Sequence, residues 1–252
     1  MAISISIIKN EYNDIRDGAY DDFINKYSLD ERQGVKNIVE RAYKARTAYE
    51  KEIERSKVMR RFESEYAMCS AICGIDEVGR GPLAGPVVAG AVILPQDDMI
   101  LYLNDSKQLS AAKRDELYDV IMEKAVAVGI GEASHTRIDE INILNATYEA
   151  MRMAISNLGV LPDILLNDAV TIPGVNIKQV PIIKGDAKSA SIAAASIVAK
   201  VTRDRFMTQM DEVYPGYGFA SNKGYGSSEH IKALKEIGPC EIHRRSFIGN
   251  FI

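Results

Sequence analysis

The chain has 252 residues, of which 46% are hydrophobic and 26% charged, and 31 Lys/Arg against 35 Asp/Glu leave a net charge of −4. That balance excludes wholesale disorder and excludes nucleic-acid binding over the whole surface, so any phosphate contact needs a local cluster of cations. No run approaches the roughly 18 apolar residues of a membrane span, no secretory leader precedes the first polar residues, and Cys69, Cys73 and Cys240 form no CxxC pair, which predicts a cytoplasmic protein with reduced thiols and no zinc cage.

The opening MAISISIIK alternates Ser with Ile. From Ser28 the sequence reads as a long helix, with Ser28 and Glu31 as an S-x-x-E capping box and Val35, Ile38, Ala42, Ala45, Tyr49 and Ile53 as an apolar stripe. The stripe must be buried, and the main domain is the expected partner surface. Residues 30–61 carry ten Lys/Arg against six Asp/Glu. Arg41, Lys44, Arg46 and Lys51 within them are candidate phosphate ligands, which makes this segment a candidate duplex-binding module. Near Cys69 the texture changes to short apolar runs broken by Gly and Pro. A boundary near residue 70 therefore divides a helical N-terminal extension, 1–70, from a catalytic domain, 71–252.

In the second part, 71–75 and 87–94 read as strands, 110–125 as a helix, 126–133 as a strand and 142–158 as a helix. Strands follow at 164–166 and 177–183, then an Ala-rich helix at 189–213 and a Gly- and Tyr-rich loop at 214–226. Strands first, then strands alternating with helices, imply an α/β fold: a mixed sheet flanked by helices.

The strongest chemical signal is Gly74-Ile75-Asp76-Glu77-Val78-Gly79-Arg80-Gly81, which places adjacent carboxylates at the end of an apolar strand. Asp168 ends the run Ile164-Leu165-Leu166-Asn167, and Asp186 follows Pro181-Ile182-Ile183-Lys184-Gly185. Strand ends of such sheets are where sites gather. Converging carboxylates repel one another and stay ionised when a hard cation such as Mg²⁺ or Mn²⁺ neutralises them, so the set predicts a metal site for phosphodiester hydrolysis.

Gly79-Arg80-Gly81-Pro82-Leu83-Ala84 also fits the G-x-G-x-x-A fingerprint of dinucleotide binding. That fingerprint must open a helix, whereas Gly85-Pro86 and the apolar run after it favour a second strand, which argues against an oxidoreductase. No P-loop ending and no H-E-x-x-H pair occur, and His135, His230 and His243 read as structural or surface residues.

The segments GIDEVGRGPLAGPVVAGAVIL, NDSKQLS, LLND, KGDAKSASIAAASIVAKVTRD, NKGYG and HRRSF, in that order, resemble the successive motifs of bacterial ribonuclease HII from residue 73 to about 248. The resemblance implies a ribonuclease H-like fold in which Asp76, Glu77, Asp168 and Asp186 bind the catalytic Mg²⁺ or Mn²⁺. It implies that the backbone of Gly79, Arg80 and Gly81, with Tyr225, recognises the 2′-hydroxyl at the cut site, and that the enzyme cleaves 5′ of a ribonucleotide in RNA/DNA hybrids or in duplex DNA, leaving a 3′-hydroxyl and a 5′-phosphate. Only the 2′-hydroxyl tells RNA from DNA at one nucleotide, and glycines let backbone groups approach it. Ser106, Lys107, Lys184 and Lys188 lie beside these motifs as candidate phosphate contacts. The 189–200 run reads mainly as close helix-on-sheet packing. In the sister family, ribonuclease HIII, Thr is usual where this chain has Arg80 and a strand-rich domain comes first; both features favour HII. A binding protein that has lost catalysis would have no reason to keep all four acids. A monomer, with a sliding clamp as candidate recruiting partner, completes the expectation.

Overall fold

The computed structural model describes residues 3–16 and 18–251, in two compact units, Met1–Lys57 and Val58–Ile252. In the first unit α1 (Ile5–Asn13), α2 (Tyr20–Tyr27) and the start of α3 (Gln33–Met59) form a small helical cluster. The Ser/Ile opening is helical because Ser4 caps α1, accepting from the Ile7 N–H, and Ile8 turns inward. Phe23, Ile24 and Tyr27 give α2 a buried face of its own, so Ser28 ends that helix instead of starting the next. The Asp30 carboxylate accepts from the Arg32 N–H just before α3 begins, which replaces the Ser28/Glu31 box. The first half of the stripe is buried within this unit, where Val35, Ile38 and Ala42 pack against Ile8, Phe23, Ile24 and Tyr27, while Ala45, Tyr49 and Ile53 are half-buried. Among its cations, Lys44 pairs with Glu40 and Arg46 with Asp21, each at 2.6 Å.

The second unit opens with α4 (Arg61–Glu65) and continues through β1 (Ile72–Val78), β2 (Val87–Ile93), α5 (Ala111–Lys124), β3 (Ala127–Ala133) and α6 (His135–Ser156). Then come β4 (Ile164–Asp168), β5 (Lys178–Ile182), α7 (Ala190–Val213), α8 (Phe219–Asn222), α9 (Ser228–Ile237) and α10 (Arg245–Ile248). The sheet order is β3-β2-β1-β4-β5, with β1 antiparallel to β2 and parallel to β4, and β4 parallel to β5. Helix α6 covers one face, meeting Cys73, Ile75, Ala89 and Ala91; α7 and α5 cover the other, around Val92, Ala194 and Ile197. This is the mixed, helix-flanked sheet expected. Helix α6 begins earlier than the 142–158 pattern, because a first segment precedes a break at Asn142 (φ 66°). There the Asn142 side chain accepts from Leu144 and Asn145 and restarts the helix.

The small residues of α7 let it lie against the centre of the sheet. A Cβ on Gly74 would stand 2.0 Å from the Ser191 carbonyl carbon, and one on Gly90 2.5 Å from the Ala195 oxygen. The helix axis is thus set by two strand glycines, and with it the height at which α7 side chains meet the end of β1.

Candidate active site

Parallel pairing of β1 with β4 runs Ile72↔Ile164 through Ile75↔Asn167, so the next step sets Asp76 beside Asp168 on adjacent strands, roughly 5 Å apart in the sheet. Asp76 lies on the α7 side and is buried. Burial drives its pKa well above the carboxylate range, Glu77 and Asp168 push it further, and hydrogen bonds from Ser196 and from the Glu77 N–H oppose the rise. Glu77 is raised by burial and, less, by Asp168, while Arg80 opposes, its Nη1 donating to Oε1 at 3.2 Å. Asp168, at the end of β4, accepts the Gly185 N–H at 2.7 Å. That bond ties it to the 3-10 turn Gly185–Ala187, which carries Asp186. Asp186 is raised by burial, then by Asp105 and Asp168. The four acids therefore share one end of the sheet and act on one another. Among the described residues, however, no three His, Cys, Asp or Glu side chains close into a ready coordination cage.

Two supports escaped sequence reasoning. Ser196 lies two turns into α7, past the end expected to matter, and it bonds Asp76. Its hydroxyl is 2.9 Å from that of buried Ser106. Because the carboxylate accepts from Ser196, Ser106 donates to Ser196, giving a two-hydroxyl chain beneath Asp76. Ser106 thus points inward, whereas Lys107, Lys184 and Lys188 are exposed, Lys107 close enough to act on Asp186 and Lys188 lining a groove with Val58, Arg61 and Phe62. Lys184 holds a left-handed φ of 56°, a strained conformation for a side chain with a Cβ, and sits immediately before the turn. The second support is Glu63 of α4, whose buried Oε1 accepts from the Ser189 hydroxyl (2.6 Å) and the Ser191 N–H (2.9 Å). It caps α7 just after the Asp186 turn. No pattern near residue 63 announces a partner 126 positions away.

The 79–86 loop is held from behind by two buried arginines. Arg244 donates to the carbonyls of Gly79 (2.6 Å), Arg80 (3.0 Å), Gly85 (2.9 Å) and Pro86 (3.1 Å). Arg203 donates to those of Ala84 (3.0 Å), Pro86 (2.9 Å) and Lys223 (2.9 Å). Gly79 is required twice over: its φ is +92°, and a Cβ would meet Arg203 Nε at 2.3 Å. Gly81 faces open space. Tyr225 is 40% exposed, with the Arg203 guanidinium 5.7 Å and the Lys200 ammonium 6.0 Å from its ring centre. Its loop returns to the 79–86 loop through the Leu83 N–H, which donates to the Gly224 carbonyl at 2.8 Å. A pocket of about 700 Å³ lined by Arg114, Lys200, Arg205 and Lys223, with Asp115 and Asp204, lies alongside.

Residues 73–250 match the family model described as Ribonuclease HII, and residues 4–67 match that described as Ribonuclease HII N-terminal domain. Ribonuclease HII of Lachnoclostridium phytofermentans is 64% identical over 99% of this chain and 98% of its own, and that of Clostridioides difficile 50% identical over the same shares. Among solved structures, the ribonuclease H2 of Pyrococcus horikoshii aligns at TM-score 0.58 and 27% identity, covering 70% of this chain and 93% of that one. The PCNA:RNase HII complex of Archaeoglobus fulgidus aligns at TM-score 0.60 and 26% identity, covering 71% and 96%. The chain belongs to the ribonuclease HII family, a family of metal-dependent endonucleases with ribonuclease H activity on RNA/DNA hybrids.

Proposed function

We propose that this enzyme cuts on the 5′ side of a ribonucleotide, both within RNA/DNA hybrids and where one ribonucleotide is embedded in duplex DNA, leaving a 3′-hydroxyl and a 5′-phosphate. The observation that carries the reading is Asp76, a buried carboxylate pushed out of its usual range beside Glu77 and Asp168. All the donors at this end of the sheet are hard carboxylate oxygens, and their mutual repulsion is relieved by a divalent cation, so the set fits Mg²⁺ or Mn²⁺. Asp76, Glu77, Asp168 and Asp186 would hold it. When bound, such an ion supplies Lewis-acid activation of water and stabilisation of the leaving oxygen.

The protein's own groups do the rest. Asp76 is fixed by Ser196 and Ser106 from below, Asp168 by the Gly185 N–H, and Glu77 is turned by Arg80. The main chain of Gly79, Arg80 and Gly81 meets the 2′-hydroxyl, and Tyr225 stacks on the neighbouring sugar. Lys107, Lys184 and Lys188 neutralise flanking phosphates. Residues 1–70 add duplex contacts through Arg41, Lys44, Arg46 and Lys51, the enzyme works as a monomer in the cytoplasm, and a sliding clamp recruits it, a partner suggested by the archaeal relative's complex with PCNA.

The test is cleavage of a DNA duplex carrying one ribonucleotide against an all-RNA/DNA hybrid, with Mg²⁺, with Mn²⁺ and after chelation. Both substrates should be cut at the 5′ side, chelation should abolish cutting, and Tyr225→Ala should harm the single-ribonucleotide substrate more. Equal losses on the two substrates would assign Tyr225 to loop support.

A further inference from the structure

His230 and His243 are fully buried and the mechanism above does not use them. Their hydrogen bonds permit a single arrangement of protons. The Tyr225 carbonyl can only accept, so His230 Nδ1 donates to it at 2.8 Å. A neutral His230 then has Nε2 as its acceptor, and His243 Nε2, 2.9 Å away, must donate. His243 Nδ1 is left to accept, and the Cys240 N–H and thiol lie 3.0 and 3.1 Å from it. The reverse polarity, Nδ1 donating to the Cys240 carbonyl at 3.3 Å, would need His230 protonated on both nitrogens. Burial opposes that, lowering the pKa of His230 and taking that of His243 down to about 4. Tyr217 and Phe219, stacked at 5.3 Å, wall the pair in: Tyr217 lies 4.9 Å from His243, and Phe219 meets His230 edge-on at 5.3 Å.

The two ends of this relay lie on the two halves of the ribose-recognising surface. One end is the Tyr225 carbonyl. At the other, the main chain around His243 bridges Ala84: the Gly85 N–H donates to the Ile242 carbonyl and the Arg244 N–H to the Leu83 carbonyl, both at 2.9 Å. The next side chain, Arg244, grips Gly79 and Arg80. We propose that His230 and His243 are positioning residues that fix the distance between Tyr225 and the Gly79–Gly81 loop, and so set how strictly one ribose is read. The proposal rests on the reading of those groups as the parts that meet the 2′-hydroxyl.

Substitutions at His230 separate the two bonds. His230→Asn keeps an amide N–H where Nδ1 donates to Tyr225, while His230→Gln keeps a polar atom toward His243 and loses the donor to Tyr225. The expected result is that His230→Gln lowers kcat/KM at a single embedded ribonucleotide by about tenfold, mostly through KM, with the long hybrid affected less than about threefold; His230→Asn stays within about threefold on both. Adding His230→Gln to Tyr225→Ala should cost nothing further, because the relay acts through Tyr225. Equal losses for Asn and Gln on both substrates, or wild-type discrimination in His230→Gln, would overturn the proposal. Should both variants fail to fold, ¹⁵N NMR of the wild-type imidazoles decides: protons on His230 Nδ1 and His243 Nε2 are required, and the opposite tautomers refute it. If Tyr225→Ala alone leaves the substrate preference unchanged, the ribose reading fails while the tautomer result stands on its own.

Discussion

Arg203 and Arg244 are buried as deeply as Asp76, yet their surroundings are opposite in kind. Each guanidinium is met by main-chain carbonyls, seven bonds in all between the two, and its pKa falls only to about 10 and about 9, so both remain cations. Asp76 has two donors and two acidic neighbours, and its charged form is disfavoured. The arginines are complete as they stand and shape a loop. The acids have too few donors to keep their charges unaided, and on the reading proposed above a divalent cation would be the missing partner.

Five measurements would break or sharpen that contrast. The largest effect should follow Arg244→Leu, which takes the guanidinium donor from the carbonyls of Gly79, Arg80 and Gly85 and leaves Pro86 with Arg203 alone; at roughly 1 kcal/mol or more for each lost bond, several kcal/mol of stability should go, visible as a much lower melting temperature. Asp76→Asn should do the reverse in metal-free protein, raising or preserving the melting temperature while turnover falls by more than about tenfold. A folded Asp76→Asn enzyme with near wild-type rates in Mg²⁺ would remove the metal site from this end of the sheet. Glu63→Ala comes next: it leaves the buried Ser191 N–H and Ser189 hydroxyl without their acceptor, although Ser189 still caps the Ile192 N–H, and should cost about 1–3 kcal/mol. For the same reason a chain starting at Val58 should outlast one starting at Cys69, and comparing the former's salt dependence with the full chain measures what the first unit adds to duplex binding.

The smallest effect is a slope with pH. His243 drops from an ordinary 6.5 to about 4, so between those values the unfolded chain takes the proton more readily. The stability contributed by the neutral ring is whole above pH 6.5 and is lost as pH falls toward 4. Asp76 and Glu77, being raised, carry the opposite sign and weaken the metal-free fold as pH rises through the carboxylate range. The gap in melting temperature between wild type and His243→Gln should therefore narrow on acidification.

What was legible in the sequence follows from how local each signal is. Asp76, Glu77 and Asp168 stand out because apolar strands end in acid, and pattern alone locates them. Ser196 was hidden by its own helix, where small residues announce packing and one hydroxyl among them announces nothing. Glu63 and the two arginines find their partners far along the chain, and only the tertiary structure joins them. The Ser28 box misled because its spacing was right but α2 had already claimed that serine as its end.

The seating of α7 on Gly74 and Gly90 also has a kinetic meaning. The strand with Asp76 and Glu77 is synthesised more than a hundred residues before Ser191, Ser196 and Arg203. Contacts of such sequence separation form late, because loop-closure entropy must be overcome first. The nascent chain therefore carries Asp76 and Glu77 without the helix that packs behind them, and this end of the sheet is assembled only when the chain is nearly complete.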